Sequence, residues 1–147
     1  SSGVKLSQQQ RNKMPLSGHC LCGAVTYTAG EPVLVGYDHC DACQRQTGST
    51  YSLVVVVKKE TFQHKGPVKD FKKPGDSGKD VHRLFCTECG SPIAHFPDAA
   101  PDILAIKGGT LETSQKQALK PTHEIYTCDK LAFMTEKLEK PFEKMPQ

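Results

Sequence analysis

The chain has 147 residues, with no tryptophan and only three arginines. Surfaces that bind nucleic acid commonly interleave aromatic residues and arginines with their lysines. The net charge of +3 arises from 19 basic and 16 acidic residues, so no strong basic excess compensates for this lack. Most of the excess lies at Lys58, Lys59 and between residues 65 and 79, which we interpret as a solvated hairpin. We therefore expect no nucleic-acid partner.

Long hydrophobic runs are also absent. The longest, residues 53–57 (LVVVV), is far too short to span a bilayer and is typical of a buried strand. No hydrophobic region of a secretory signal peptide is present. These observations predict a cytoplasmic protein without a membrane partner.

The first 13 residues, SSGVKLSQQQRNK, are polar and patternless. We interpret them as a disordered remnant of an expression vector, with Met14 as the natural start. The remaining residues 14–147 are expected to form a single zinc-binding domain, for the reasons given below.

Short segments rich in β-branched residues, separated by glycine and proline, predict a mainly β protein. Residues 51–57 are apolar on both faces and predict a central strand. Residues 44–47 predict a helical turn, and residues 131–138 predict one short C-terminal helix, since Leu131, Met134 and Leu138 share a helical face. The other predicted strands are residues 24–28, 33–37, 61–65, 68–71, 81–85, 92–96 and 103–107, with a further one beginning at Ile125.

Six of the seven cysteines occur as three close pairs, Cys20 and Cys22, Cys40 and Cys43, and Cys86 and Cys89. Such spacing turns two thiolates toward one ion, and two pairs complete a Cys₄ zinc site. A disulfide-rich secreted scaffold would explain the cysteines otherwise, but their close pairing favours reduced thiols.

The first and third pairs are each followed directly by glycine, Gly23 and Gly90. A glycine there allows a positive φ, so that backbone N–H groups can approach the thiolates. We therefore predict that these two pairs, Cys20, Cys22, Cys86 and Cys89, hold one structural zinc.

The middle pair supplies only two thiolates, whereas a catalytic zinc commonly has three protein ligands and one open position. Asp38 stands one residue from Cys40 and is the predicted third ligand. His39 is the competing third ligand, although on an extended chain its side chain points away from both neighbours. Two further interpretations stay open: two free thiols in a turn, and a redox-active dithiol, which would favour a helix start within a βαβ unit.

Three sequence segments resemble the glutathione-dependent formaldehyde-activating enzyme family. They are Gly18-His19-Cys20-Leu21-Cys22-Gly23, residues 39–49 (HCDACQRQTGS) and residues 85–91 (FCTECGS). The resemblance runs from about Leu16 to Phe133 and implies a zinc-bound, β-tent-like fold of stacked, twisted antiparallel sheets. It also implies a structural zinc on the outer pairs and a second, labile zinc on a C-x-C-x-x-C motif. The first cysteine of that motif falls on Asp38, so the two zinc sites have different ligand chemistry.

The resemblance predicts a zinc-dependent carbon–sulfur lyase-like enzyme that acts on a small thiol adduct, of the glutathione type, or on a carbonyl compound. The predicted catalytic residues are Asp38, Cys40, Cys43, Arg45 and His123. Arg45 would hold a substrate carboxylate or form a surface salt bridge, and His123 would supply acid–base chemistry or solvate a loop. Cys128, the unpaired cysteine, is a reactive thiol facing the site, a spare ligand or an inert thiol.

A non-enzymatic interaction module is the alternative. Small chaperones that bind nucleotide-free Rab GTPases share this zinc fold, and a chromosome-associated protein resembles the family. Both roles would need only the structural Cys₄ site. An uncovered sheet edge would in addition allow a homodimer.

Overall fold

The computed structural model describes residues 15–146 and is mainly β. The predicted vector remnant, residues 1–13, lies outside the described residues. The strands are β1 (Leu16–His19), β2 (Thr26–Ala29), β3 (Leu34–Asp38), β4 (Ser52–Lys58), β5 (Gln63–Lys65), β6 (Val68–Pro74), β7 (Asp80–Cys86), β8 (Pro92–Pro97), β9 (Ile103–Lys107), β10 (His123–Ile125) and β11 (Lys140–Pro141). The α-helices are α1 (Asp41–Thr47) and α2 (Thr113–Gln117), and 3₁₀ turns span Lys59–Thr61, Gly108–Thr110 and Thr127–Asp129.

The strands form two sheets. The smaller has the order β1-β2-β5, and the larger has the order β11-β10-β3-β4-β9-β8-β7-β6. Neighbours pair antiparallel except at one end of the larger sheet, where β10 runs parallel to both β3 and β11. Strand β4 lies in the interior of the larger sheet, as its apolar faces predicted.

One hydrophobic core joins the two sheets. Leu16, Tyr27 and Ala29 of the smaller sheet pack in the same buried cluster as residues of the larger sheet. Val55 and Ile106 are opposed across β4 and β9 and are both fully buried in this cluster. The mainly β composition that the sequence predicted, and the stacked sheets that the family resemblance implied, are therefore confirmed.

The predicted helix over residues 131–138 is wrong, because this segment holds a turn followed by irregular chain. Both of its ends are tied to the buried carboxylate of Glu124. The Lys130 ammonium lies 2.7 Å from Glu124 Oε1, and the Leu138 backbone N–H donates to Oε2 at 2.9 Å. An isolated helix of this length is marginal, so these tertiary bonds decide the conformation.

No helix among residues 15–146 has both the length and the apolar character that crossing a bilayer requires.

His82 on β7 connects two carboxylates and gives the fold a pH dependence. Its ring nitrogens lie 2.7 Å from Asp70 and 2.8 Å from Asp98. The hydrogen bond to Asp70, opposed by burial and assisted by Asp98, raises the pKa of His82 above its ordinary value. A raised folded-state pKa stabilises the fold fully below the unfolded pKa, and this stabilisation is lost as pH rises through the folded pKa.

We therefore expect the free energy of unfolding of the wild type to lose about 1 kcal/mol relative to that of His82→Gln as pH rises across that window. Urea denaturation at a series of pH values measures it. His64→Gln, at an exposed position on β5, is the matched control and should keep the wild-type slope. An unchanged slope in His82→Gln would contradict the assignment.

Candidate metal centres

The outer cysteine pairs meet in space. Cys20 and Cys22 follow β1, whereas Cys86 ends β7 and Cys89 follows it, yet the four sulfurs all lie within 4.8 Å of one another. The Cys22 sulfur lies 3.5 Å from that of Cys20 and 3.8 Å from that of Cys86. All of them are free thiols rather than disulfides, so the cluster could hold a metal ion.

The turns around these cysteines supply backbone donors to the sulfurs. The N–H of Val25 donates to Cys20 Sγ and that of Glu88 donates to Cys86 Sγ, both at 3.3 Å. Gly23 and Gly90 have φ values of 82° and 77°, the left-handed conformation that their place in the sequence predicted. Donors of this kind favour the thiolate form, which is the form that binds metals.

A second cluster joins Asp38, Cys40 and Cys43, whose ligand atoms also lie within 4.8 Å of one another. Asp38 ends β3, Cys40 is the N-cap of α1, and Cys43 lies in its first turn. Asp38 Oδ1 accepts from the N–H of Cys40 at 3.0 Å, and Cys40 Sγ accepts from the N–H of Cys43 at 3.2 Å. The side chains of Asp38 and Cys40 are thus each oriented by the backbone of the next ligand along the chain.

The two thiols of this cluster differ in acidity. The hydrogen bond from Cys40, opposed by burial and assisted by the positive charges of Lys107 and Arg83, lowers the pKa of Cys43. The same contact with Cys43, together with burial, raises the pKa of Cys40. Cys43 is therefore the more acidic thiol of the pair.

A row of polar side chains crosses the larger sheet beside this cluster. Asp38 pairs with Ser52 on β4, and Lys107 on β9 pairs with Val54, two residues along β4 from Ser52. Because alternate residues of a strand share one face, Asp38, Ser52 and Lys107 lie on the same face. His95 on β8 pairs with Ala105, two residues from Lys107, and therefore lies on the same face. Arg83 on β7 pairs with His95 and is the last member of the row.

Hydrogen bonds connect the members of this polar row. The Lys107 ammonium donates to Ser52 Oγ and to His95 Nδ1, both at 2.9 Å. Burial, with the charges of Lys107 and Arg83, holds the pKa of His95 well below its ordinary value, so His95 is neutral. Arg83 Nη1 lies 3.8 Å from Cys43 Sγ and 3.2 Å from Gln46 Oε1. Lys107 and Arg83 were not among the residues predicted from the sequence.

His39, the competing third ligand, has its imidazole directed elsewhere. It is fully buried, and its Nε2 lies 2.9 Å from Glu124 Oε1. The group of side chains that could bind a metal in the second cluster therefore includes Asp38 and not His39.

The remaining predicted site residues make their contacts with residues outside the cluster. Arg45 is 80% exposed and pairs with Asp41 at 2.7 Å. His123 stacks on Phe142, with Nδ1 2.7 Å from Thr122 Oγ1. Cys128 is an exposed free thiol. The structure thus brings together Asp38, Cys40 and Cys43 and leaves these three residues outside the group.

Tyr126 is a further neighbour of the second cluster. Its φ of 55° makes it the one non-glycine residue with positive φ among residues 15–146, and such strain is concentrated at functional sites. Burial, followed by the negative charges of Asp76, Asp38 and Cys40, raises the pKa of Tyr126 to about 12. No sequence motif marks this residue, because its approach to the cluster depends on the left-handed turn after β10.

Comparisons with known proteins identify a similar fold and a family. No curated protein matches the chain in a sequence search. A crystal structure of a Rhodobacter sphaeroides protein is similar in fold, with a TM-score of 0.55 at 18% identity, covering 71% of this chain and 97% of that chain. The model of the family described as glutathione-dependent formaldehyde-activating enzyme matches residues 15–129. This match takes in both cysteine clusters, and the chain belongs to the glutathione-dependent formaldehyde-activating enzyme family.

Proposed function

We propose that the protein is a zinc-dependent enzyme that forms or breaks the carbon–sulfur bond of a small thiol adduct, a carbon–sulfur lyase-like activity. The observation that carries the proposal is the Asp38, Cys40 and Cys43 cluster at the end of β3 and the start of α1. Three protein ligands are the number that catalytic zinc sites commonly use. Membership of a formaldehyde-activating family supports the same chemistry.

Zinc is the proposed metal of the outer cluster because four thiolates are its common structural ligand set. Four sulfurs at about 2.3 Å from a tetrahedrally coordinated zinc are separated by about 3.8 Å. The sulfur separations of 3.5 and 3.8 Å fit that arrangement. We assign this cluster a structural role, since it joins the end of β1 to the end of β7.

The second cluster also fits zinc, with one carboxylate and two thiolates as donors. A zinc ion bound there would lower the pKa of a coordinated thiol, so that the thiol is nucleophilic at neutral pH. Asp38 and Cys40 would be held in place by the backbone hydrogen bonds already described. Cys43 is buried and faces Arg83, which supports its negative charge.

The proposed reaction joins a thiol to an aldehyde, or reverses that step. The sulfur forms a bond to the carbonyl carbon, the carbonyl π electrons move to oxygen, and the thiol proton ends on that oxygen. Tyr126, which directly follows the Ile125–Asp38 pair, is the proposed carrier of that proton: its phenol gives a proton to the carbonyl oxygen and takes up the proton that leaves the thiol. Arg45 and His123 stay candidate residues, and glutathione and a homodimer stay predictions.

The test follows exchange between formaldehyde, glutathione and their hemithioacetal by NMR on protein purified without chelator. We expect the wild type to accelerate the exchange, and Cys40→Ser and Cys43→Ser to lose at least about tenfold of the rate, because each removes a thiolate donor. Cys128→Ser, an exposed cysteine outside both clusters, is the control. If both serine variants kept wild-type turnover of every substrate that the wild type accepts, the proposal would fail.

A redox role has one observation in its favour, since Cys40 and Cys43 stand at the start of α1. The strands on either side, β3 and β4, are antiparallel neighbours, so no βαβ unit surrounds the pair. Thiol titration with and without chelator separates the two roles. Thiols protected only while metal is bound support the zinc enzyme, whereas reversible oxidation of the metal-free pair in the cell would favour the redox protein.

A further inference from the structure

We propose that Arg83 and Lys107 form a subsite for one carboxylate group of the substrate, beside the Asp38, Cys40 and Cys43 cluster. This inference rests on the proposed function and specifies its substrate class, a small thiol that carries a single negative charge close to the reacting sulfur. Neither residue belongs to a cysteine motif, and neither is a metal ligand in this geometry.

The two cations are buried in unusual surroundings. Arg83 is 9% exposed and Lys107 is 4% exposed. Within residues 15–146, neither lies within ion-pair distance of a carboxylate. Glu124, the buried carboxylate on β10, is already paired with Lys130. Buried charges are costly unless an opposite charge compensates them, so these two need an anion.

The surroundings leave Arg83 as the fixed positive charge of the subsite. Burial lowers the pKa of Lys107, whereas the negative charges of Cys43 and Asp38 oppose that shift. Arg83 stays charged and lies 3.8 Å from Cys43 Sγ, so its guanidinium is the group that a substrate carboxylate would meet beside the cluster.

Hydrogen-bond donors remain for such an anion. Arg83 uses Nη1 toward Gln46 and Cys43, and its other nitrogens bond to no residue in the described part of the chain. Lys107 uses two of its three donors, on Ser52 and His95. The planar guanidinium matches a carboxylate in a bidentate geometry, and this favours a carboxylate over a spherical anion.

The location of the subsite determines how far the carboxylate of the substrate lies from its reacting sulfur. Arg83 Nη1 is 3.8 Å from Cys43 Sγ, so an anion bound to its free edge lies next to the ligand cluster. Arg45, the arginine predicted from the sequence to hold a substrate carboxylate, is exposed and paired with Asp41. The buried arginine is therefore the better placed of the two.

The experiment compares 3-mercaptopropionate with 3-mercaptopropionamide, two thiols of the same size that differ by one charge. Isothermal titration calorimetry on the metal-containing protein gives both dissociation constants, and elemental analysis after dialysis verifies that the metal has stayed bound. We expect the wild type to bind the carboxylate thiol at least about tenfold more tightly, the value of one charge-assisted hydrogen bond.

Lys107→Met and Arg83→Gln should reduce this preference to near unity, while affinity for the amide changes little. Arg83→Lys retains the positive charge but loses the planar guanidinium, so it should keep part of the preference that Arg83→Gln loses. Lys79→Met, at an exposed lysine, should keep the wild-type ratio. Circular dichroism checks that each variant is folded.

The outcomes separate the two proposals. If neither thiol binds the wild type, the proposed function and the subsite both fail. If both thiols bind equally, or if the preference survives in Lys107→Met and Arg83→Gln, the subsite alone is overturned. Survival would mean that the carboxylate binds the metal directly, and loss of the preference in Arg45→Gln alone would transfer the role to Arg45.

Discussion

Replacing Cys86 with serine is expected to prevent stable folding. Cys86 is fully buried at the end of β7, and its sulfur meets the cysteines that follow β1. Metal binding by a Cys₄ site contributes about 10–16 kcal/mol to folding, which is comparable with the whole stability of about 5–15 kcal/mol that small domains have. Thermal unfolding followed by circular dichroism, together with metal content per chain, measures the effect.

Cys128→Ser is the matched control for Cys86→Ser, because it changes the same side chain at an exposed position outside both clusters. It should unfold at the wild-type temperature and retain the same metal content. Treating the wild type with a strong chelator should reproduce the loss of structure seen in Cys86→Ser. A folded Cys86→Ser protein at full stability would show that the outer cluster is not a structural metal site.

Several strands were predictable from the sequence because each carries its own local signal. The strand at residues 103–107 is observed with the predicted bounds, and the strand at residues 51–57 is observed as β4 (Ser52–Lys58). Both are short apolar runs bounded by turn residues, and the core contacts agree with that local preference. The positive φ of Gly23 and Gly90 was predictable for the same reason, since each follows a cysteine pair directly.

The start of α1 was predicted too late in the chain. The sequence predicted a helical turn at residues 44–47, whereas α1 begins at Asp41. Cys40 is the N-cap and accepts from the N–H of Cys43, although cysteine is not among the usual capping residues. The cap therefore depends on a sulfur acceptor, which helix-capping preferences do not describe.

The polar row on the larger sheet could not be predicted, because it depends on strand register. Lys107 follows the apolar run ILAI, and Arg83 lies within the residues of β7. From the local sequence alone, each is indistinguishable from a solvent-exposed charge at the end or edge of a strand. Only the order β3-β4-β9-β8-β7 places them on the face that carries Asp38. The same long-range pairing explains why residues 131–138 are not helical, since Glu124 ties down both ends of that segment.

Replacing Asp38 with asparagine is expected to remove the metal ion of the second cluster and to abolish most of the catalytic activity. In Asp38→Asn, the amide oxygen can still accept from the N–H of Cys40, a bond now 3.0 Å long, while the charge is lost. We expect metal content to fall from about two ions per chain to about one, and turnover of the hemithioacetal to fall by about 100-fold or more. Elemental analysis and the NMR exchange assay measure the two effects.

Asp38→Cys is the informative partner of this variant, because it supplies a third thiolate at the same position. If the carboxylate acts as a ligand, the cysteine variant should keep about two ions per chain, since thiolate is a common zinc donor. Asp41→Asn, an exposed carboxylate on the next turn, should alter neither metal content nor turnover. A second ion that persisted in Asp38→Asn would mean that Cys40 and Cys43 hold it without the carboxylate. Asp38 would then act only through its bond to the Cys40 backbone, because that bond is the one interaction which the amide preserves.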